Sequence, residues 1–176
     1  MLYFNKKNKW IRHKKLKNWD PIVTINIVII TNNIMKIEDK FIIVDILGIG
    51  ASGIVYKVID RITGEKFALK RCNYDNQVLI NPTVMREIDI LFKIDHKHII
   101  KLYEVIIGYY QNKKYVFLVL SLGDYSLYDF KKYKPNKYLA RKRFLEILDA
   151  INYIDKLGYI HNDLTPNNII VKKNSL

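Results

Sequence analysis

The residues of this chain that could perform chemistry lie in two short segments. Residues 47–55 read L-G-I-G-A-S-G-I-V, and glycines at this spacing let the backbone approach phosphate groups closely. Residues 161–168 read H-N-D-L-T-P-N-N, which places the carboxylate of Asp163 and the amide of Asn168 five residues apart. Phosphate binding is therefore the first chemistry that the sequence suggests.

The glycine pattern alone does not distinguish between two kinds of nucleotide site. In a dinucleotide-binding unit the glycines open a helix, whereas residues 54–59 are rich in β-branched side chains and predict a strand. A turn at residues 63–65 and a returning strand at residues 66–70 follow. This order of elements argues against a dinucleotide-binding fold.

These segments resemble the motifs of eukaryotic protein kinases of the Ser/Thr type, in particular the relatives of cyclin-dependent kinases. Residues 161–168 are similar to the catalytic loop H-R-D-L-x-x-x-N, and residues 67–70 are similar to the V-A-I-K strand. Residues 81–88 resemble the P-S-T-A-x-R-E segment that opens helix αC in those relatives. The resemblance covers roughly residues 36–176.

The resemblance implies a role for each matching residue. Asp163 would accept the proton of the substrate hydroxyl, and Asn168 would bind Mg²⁺. Lys70 would pair with the α- and β-phosphates of ATP and with Glu87. Residues 47–55 would cover the nucleotide. The strand over residues 115–120 would end in a gatekeeper residue, and the hinge that follows it would bind the adenine through backbone groups. The implied nucleotide-binding positions are Leu47, Gly48, Gly50, Ala51, Ser52, Gly53, Val55, Ala68, Lys70, Leu120 (the gatekeeper), Ser121 and Leu122.

The expected fold is α+β. Residues 36–120 would form a kinase-like N-lobe, a five-stranded antiparallel sheet with helix αC, and residues 121–176 a hinge and an incomplete, mainly helical C-lobe. The strand before the hinge is predicted at residues 115–120. Apolar spacing predicts two helix faces. The first, on αC, comprises Val84, Ile88, Leu91 and Phe92, and the second, on a helix over residues 143–158 that ends at Gly158, comprises Phe144, Ile147, Leu148, Ile151 and Ile154.

The chain departs from the kinase pattern in three places. Asn162 replaces the Arg that usually precedes the catalytic Asp, and Thr165 replaces a Lys beside the transferred phosphate. The third departure is that the sequence stops at Leu176 without a D-F-G motif, whose Asp is a principal Mg²⁺ ligand. Two functions stay open: an ATP-dependent Ser/Thr kinase that is incomplete in this chain, or a non-catalytic kinase-like module that binds nucleotide or a partner protein.

The partners follow from the same resemblance. A kinase would act on a protein that carries Ser or Thr, and residues 82–88 resemble the helix by which cyclin-dependent kinases engage cyclins. A cyclin-like activator docked there would press Glu87 toward Lys70. The alternative is that this segment reflects only a broad family resemblance.

Composition limits the remaining possibilities. The 176 residues carry a net charge of +13 and a single cysteine, which excludes an intramolecular disulfide framework. Much of the charge lies in residues 1–35, a basic extension that we predict to be disordered; nucleic-acid binding or a nuclear address there is the alternative. The apolar stretch 21–30 is too short to span a membrane, and an H-x-H metal pair at His96 and His98 lacks further ligands. We expect an intracellular protein, cytoplasmic or nuclear.

Overall fold

The computed structural model describes residues 35–50, 53–72 and 82–173. They fall into two units. The sheet unit comprises the described residues of 35–93 and 102–122, and the helical unit comprises residues 94–101 and 123–173. The basic extension that the sequence predicts lies outside the described residues, apart from Met35.

The sheet unit contains six strands in the order β1-β5-β6-β4-β3-β2. The five antiparallel strands match the expected N-lobe sheet. The sixth is β1, which pairs in parallel with β5 and places Met35 opposite Gly108. A two-residue strand shows no periodicity, so the sequence could not predict it. The strands are β1 (Met35–Lys36), β2 (Phe41–Gly50), β3 (Gly53–Asp60), β4 (Lys66–Cys72), β5 (Leu102–Tyr110) and β6 (Lys113–Ser121).

The turn between β3 and β4 is fixed by the carboxylate of Asp60. It accepts hydrogen bonds from the backbone amides of Ile62 and Thr63, both at 2.9 Å. The hydrogen bond from Thr63 is the main cause that holds the pKa of Asp60 below its usual range. This local bond sets the antiparallel register of the two strands.

Two helices pack within the sheet unit. The short α1 (Ile37–Lys40) buries Ile37 completely. The longer α2 (Pro82–Lys93) buries Val84, Ile88 and Leu91, as the apolar spacing predicts, but Phe92 is 61% exposed and was wrongly assigned to that face. Phe92 follows Leu91 directly, which rotates its side chain about 100° away from the buried stripe. The sheet core consists of Ile37, Phe41, Tyr56, Val58, Leu69, Ile106, Phe117 and Val119.

The helical unit is built around one long helix, α4 (Lys137–Lys156). It begins six residues before the predicted start, because the Asn136 side chain caps it by accepting a hydrogen bond from the Leu139 amide at 2.8 Å. It stops where expected, since Gly158 adopts a left-handed φ of 77°. The other elements of this unit are β7 (Tyr125–Ser126), α3 (Leu127–Phe130), the 3₁₀ turns Lys131–Tyr133 and Pro166–Asn168, and β8 (Ile170–Val171), which pairs with β7.

The buried face of α4 differs from the predicted one. Arg143, Ala150 and Ile154 are buried, whereas Phe144 and Leu148 are 59% and 43% exposed. Of the predicted apolar face, Ile154 is buried, and Ile147 and Ile151 are half-buried. The buried residues of α4 therefore form a narrower stripe than the predicted apolar face, and this stripe is rotated around the helix relative to that face.

Residues 94–101 pack with the helical unit, although the sequence places them inside the N-lobe. The His96 ring stacks on the ring of Tyr153 in α4 at 4.7 Å, and the Tyr153 hydroxyl accepts a hydrogen bond from the Asp95 amide at 3.4 Å. These contacts attach the segment to α4. Across residues 35–50, 53–72 and 82–173, no helix combines the length and the apolar character needed to cross a membrane.

Candidate functional site

A buried ion pair lies at the centre of the sheet unit. Lys70 stands on β4, opposite Val55 of β3 and Leu118 of β6, and only 1% of it is exposed. Its Nζ lies 2.7 Å from both carboxylate oxygens of Glu87 on α2, which is 7% exposed. The ion pair expected from the sequence is therefore present. A buried charge is strongly unfavourable without a partner, so each of these residues depends on the other.

The glycine segment forms the hairpin between β2 and β3. Gly48 lies opposite Val55, and Gly50 lies opposite Gly53. Gly53 has a φ of 131°, and a Cβ atom there would lie 1.9 Å from the carbonyl oxygen of Arg71. Only glycine fits this close approach of two strands. A strand follows Gly53, as expected for a kinase-like loop and not for a dinucleotide-binding unit. Ala51 and Ser52 lie outside the described residues.

The remaining nucleotide-binding candidates of the sheet unit lie around the end of β6. Ala68 on β4 pairs with Leu120 on β6, and both side chains are buried. Ser121 still belongs to the strand, opposite Phe67, so β6 extends one residue into the predicted hinge. Leu122 follows directly after the strand. Of the other candidates, Val55 is half-buried and Leu47 is 47% exposed.

Asp163 and Asn168 are joined within the helical unit. The Asn168 side-chain nitrogen donates hydrogen bonds to Asp163, at 2.9 Å to its backbone oxygen and at 3.0 Å to Oδ2. The 3₁₀ turn Pro166–Asn168 makes this possible, because the Asn168 backbone amide bonds the carbonyl of Thr165 at 2.9 Å. Asn168 is buried, whereas Asp163 is half-buried. The loop therefore holds one carboxylate oxygen in a fixed direction.

Cys72 lies beside the ion pair, a position that sequence reasoning missed. It is two residues beyond Lys70 on β4, so both side chains point to the same face of the sheet. Cys72 is completely buried, and this burial raises the pKa of its thiol to about 12. The period of two residues in a strand was the signal that could have revealed this position. A thiol with such a pKa is protonated and unreactive at neutral pH.

The two histidines that could suggest a metal site converge on one carboxylate. His96 Nε2 and His98 Nε2 lie 3.4 and 3.8 Å from Asp149 Oδ2. Burial is the main cause that lowers the pKa of His98. Within the described ranges, no group of three or more His, Cys, Asp or Glu residues is arranged to hold a metal ion. These contacts attach residues 94–101 to α4.

Comparisons with known proteins match most of the chain. The family model of the protein kinase domain matches residues 41–176. Cyclin-dependent kinase 12 of Caenorhabditis elegans is 31% identical over 142 residues, which cover 74% of this chain and 20% of that protein. Mitogen-activated protein kinase 4 of Oryza sativa subsp. japonica is 32% identical over 146 residues, which cover 80% of this chain and 39% of that protein. The chain thus spans well under two thirds of the length of the curated relatives that it matches.

Proposed function

Because this chain belongs to the protein kinase family, we propose that it binds ATP and carries residues for transferring the terminal phosphoryl group to a Ser or Thr hydroxyl of a protein. The observation that supports this most strongly is the buried Lys70–Glu87 pair on the strand that follows the glycine hairpin. A lysine is rarely buried without a specific reason. Anchoring an ammonium group for phosphate oxygens is such a reason.

The residues of the sheet unit fit a nucleotide. Lys70 would bind the α- and β-phosphates, and Glu87 would hold its ammonium group in place. Among the residues that the structure describes, no heavy atom lies within 4 Å of a Cβ atom added at Gly48, which leaves room for a phosphate beside the hairpin backbone. Leu120, Ser121 and Leu122 would contact the adenine at the end of β6. Bound ATP supplies the phosphoryl group, and Mg²⁺ neutralises its charge.

The residues of the helical unit fit proton transfer and metal binding. Asp163 would accept the proton of the substrate hydroxyl, with its carboxylate oriented by the Asn168 side-chain nitrogen at 3.0 Å. The amide oxygen of Asn168 is the type of ligand that Mg²⁺ prefers, and it lies at the other end of the amide from that nitrogen. The buried Asn168 side chain would thus orient Asp163 through its nitrogen and bind Mg²⁺ through its oxygen.

Ser/Thr specificity is supported by two features. Pro166 follows the Ser/Thr-kinase form of the catalytic loop and opens the 3₁₀ turn that places Asn168. Among the relatives, two carry the names of a cyclin-dependent kinase and a mitogen-activated protein kinase. We therefore propose a protein substrate that carries Ser or Thr.

Binding of a cyclin-like activator is less well supported than binding of a nucleotide or a protein substrate. Such a partner would press Glu87 toward Lys70, yet this pair is already closed in the single chain. Val84 and Ile88, the apolar positions of that segment, are buried against the sheet unit and are not available to a partner. An activator that contacts α2 would need to use exposed residues such as Phe92.

A second candidate is a kinase-like module that binds nucleotide without catalysis. It is favoured by Thr165, which stands where Ser/Thr kinases carry a Lys beside the transferred phosphate and cannot supply that positive charge. Both candidates require nucleotide binding. They differ only in phosphoryl transfer.

Titration of the 176-residue chain with a fluorescent ATP analogue and Mg²⁺ tests the shared proposal. We expect saturable binding that Lys70→Met weakens by at least about tenfold, which corresponds to about 1.4 kcal/mol. Lys66→Met is the matched control, because Lys66 lies on the same strand and is exposed. Circular dichroism checks that both variants are folded. Absence of binding to the wild-type chain at millimolar nucleotide, or equal binding by folded Lys70→Met, would overturn the proposal.

A further inference from the structure

Arg71 follows Lys70 on β4, so its side chain points to the opposite face of the sheet. Three tyrosine rings lie near its guanidinium group. The Cζ atom of Arg71 lies 4.6 Å from the ring centre of Tyr115 and 5.9 Å from the ring centres of Tyr56 and Tyr110. A cation is attracted to an aromatic face at distances below about 6 Å. Within the described ranges the buried Nε atom of Arg71 has no hydrogen-bond partner, so the rings provide the contacts on that side of the group.

The three tyrosines belong to three different strands. Tyr56 lies on β3, Tyr110 on β5 and Tyr115 on β6, and the rings of Tyr56 and Tyr110 also contact each other at 5.8 Å. Tyr56 is part of the sheet core, and the other two rings pack against that core. Because β4 and β6 are paired, the side chain of Arg71 connects the β2–β4 group to the β5–β6 hairpin. The contact is therefore internal to the sheet unit.

The backbone of Arg71 lies between the residues that would bind phosphate groups. Lys70 precedes it directly, and its own partner on β3 is Ile54, the residue after Gly53. The carbonyl oxygen of Arg71 is also the atom that leaves no room for a side chain at Gly53. The adenine candidate Ala68 lies further back along β4. Displacement of the Arg71 backbone would thus move Lys70 and the end of the glycine hairpin more than the adenine position.

We propose that Arg71 is a positioning residue for the phosphate groups of the nucleotide. Held by the three rings, it keeps Lys70 and Gly53 at the distance and in the strand register that these groups require. Arg71 does not bind the phosphates itself, because its side chain points away from the face that carries Lys70. This role rests on the proposed nucleotide binding and adds a residue that acts on one part of the nucleotide only.

Fluorescent analogues of ATP and of adenosine that carry the same fluorophore test this role in the full 176-residue chain, with Mg²⁺ present. We expect Arg71→Met to raise the dissociation constant of the ATP analogue by at least about fivefold, and that of the adenosine analogue by less than about twofold. Arg61→Met is the matched control, because Arg61 is an exposed arginine in the turn at the other end of β3 and β4. It should change neither constant. Circular dichroism checks that the variants are folded.

Variants of Tyr115 test whether the rings act through Arg71. Tyr115→Phe keeps an aromatic face and should bind the ATP analogue as the wild-type chain does, whereas Tyr115→Leu should weaken binding as Arg71→Met does. The double variant Arg71→Met/Tyr115→Leu should bind no more than about twofold more weakly than either single variant, because both changes remove the same contact. If Arg71→Met fails to fold, the comparison of the two Tyr115 variants makes the same test.

Three results would overturn the positioning role while leaving the proposed function intact. The first is a folded Arg71→Met variant that binds the ATP analogue as tightly as the wild-type chain. The second is loss of both analogues by the same factor, which would assign Arg71 to the stability of the whole sheet unit. The third is equal binding of the ATP analogue by Tyr115→Leu and Tyr115→Phe. A wild-type chain that does not bind the ATP analogue would overturn the proposed function and this role together.

Discussion

Lys70 and Glu87 are both buried, and each balances the charge of the other. Removing one partner of such a pair leaves an uncompensated charge in a site from which water is excluded. The pair Lys93–Asp89 on α2 is a useful contrast, since Lys93 is 48% and Asp89 19% exposed and solvent therefore screens their charges. The same kind of ion pair thus has different consequences at two places on one helix.

We expect Glu87→Leu to lower the free energy of unfolding by about 3–5 kcal/mol, because it removes the carboxylate that balances the buried Lys70 ammonium. The double variant Lys70→Met/Glu87→Leu should regain most of this loss, since no charge remains buried. Lys93→Ala should change the free energy by less than about 1 kcal/mol. Urea denaturation of the four proteins measures all three changes. A single variant as stable as the wild-type chain would show that the pair is not buried in solution.

The burial of Cys72 predicts that the free energy of unfolding depends on pH above neutrality. Burial raises the pKa of its thiol to about 12, whereas an unfolded cysteine ionises near pH 8.5. Above that pH the unfolded chain loses a proton that the folded chain retains, so stability falls as pH rises toward the folded pKa. The slope should approach about 1.4 kcal/mol per pH unit. Comparing urea denaturation of the wild-type chain and Cys72→Ala at pH 8 and pH 10 isolates this effect, which the variant should lack.

Single residues were predictable from the sequence to different degrees. Lys70, Glu87 and Asp163 could be assigned because their motifs combine a residue type with a spacing. The hydrogen bond from Asn168 to Asp163 required the 3₁₀ turn, which residue types alone do not show. Asn162 departs from the kinase pattern, and it adopts a left-handed φ of 56°. Asn tolerates this conformation better than most residues do.

The β2–β3 hairpin is the element that depends most on one glycine. Gly53→Ala would place a Cβ atom 1.9 Å from the Arg71 carbonyl oxygen, in a backbone conformation that side chains disfavour. We expect a loss of at least about 1–3 kcal/mol in the free energy of unfolding. Gly48→Ala is the control in the same hairpin, since a Cβ atom there meets no heavy atom of the described part of the chain within 4 Å. Equal stability of the two variants in urea would contradict the described geometry.

The elements show where pattern reasoning works and where it fails. Strands β3, β4 and β6 were predictable because turns, β-branched residues or a continuous apolar run mark them, whereas β2 and β5 followed only from the resemblance to kinases. The start of α4 was missed because residues 137–142 have no clear apolar period; the cap at Asn136 was the signal that marks it. Apolar spacing placed Phe144 and Leu148 on one face of α4, but such spacing does not show what covers that face.

At the scale of the whole molecule, the two candidate functions differ in phosphoryl transfer. A polypeptide of these 176 residues, assayed by itself, offers Asp163 and Asn168 but not the Asp of a D-F-G motif, which is a principal Mg²⁺ ligand in the family. Phosphoryl transfer depends on positioning and charge neutralisation. We expect transfer from radiolabelled ATP to a generic protein substrate to stay at the level of Asp163→Asn. Robust transfer that Asp163→Asn abolishes would instead show that this chain is catalytic by itself.

The strand order has a consequence for how fast the sheet unit folds. Strands β2, β3 and β4 are neighbours in sequence and in space, and β5 and β6 form a hairpin, so both groups close through short connections. The β4–β6 pairing joins distant segments, with Lys70 opposite Leu118. Closing that long loop has a large entropic barrier and should limit the folding rate.

Val58→Ala, within the local β2–β4 group that forms first, should therefore slow folding with little change in the unfolding rate. Leu118→Ala, equally buried but on the strand that joins last, should also accelerate unfolding. Stopped-flow kinetics in urea separate the two effects. Glu87 lies in the loop that this step closes. Lys70 therefore meets the Glu87 carboxylate only during or after the slowest step. Chains trapped before that step would contain the hairpins but no site for a phosphate.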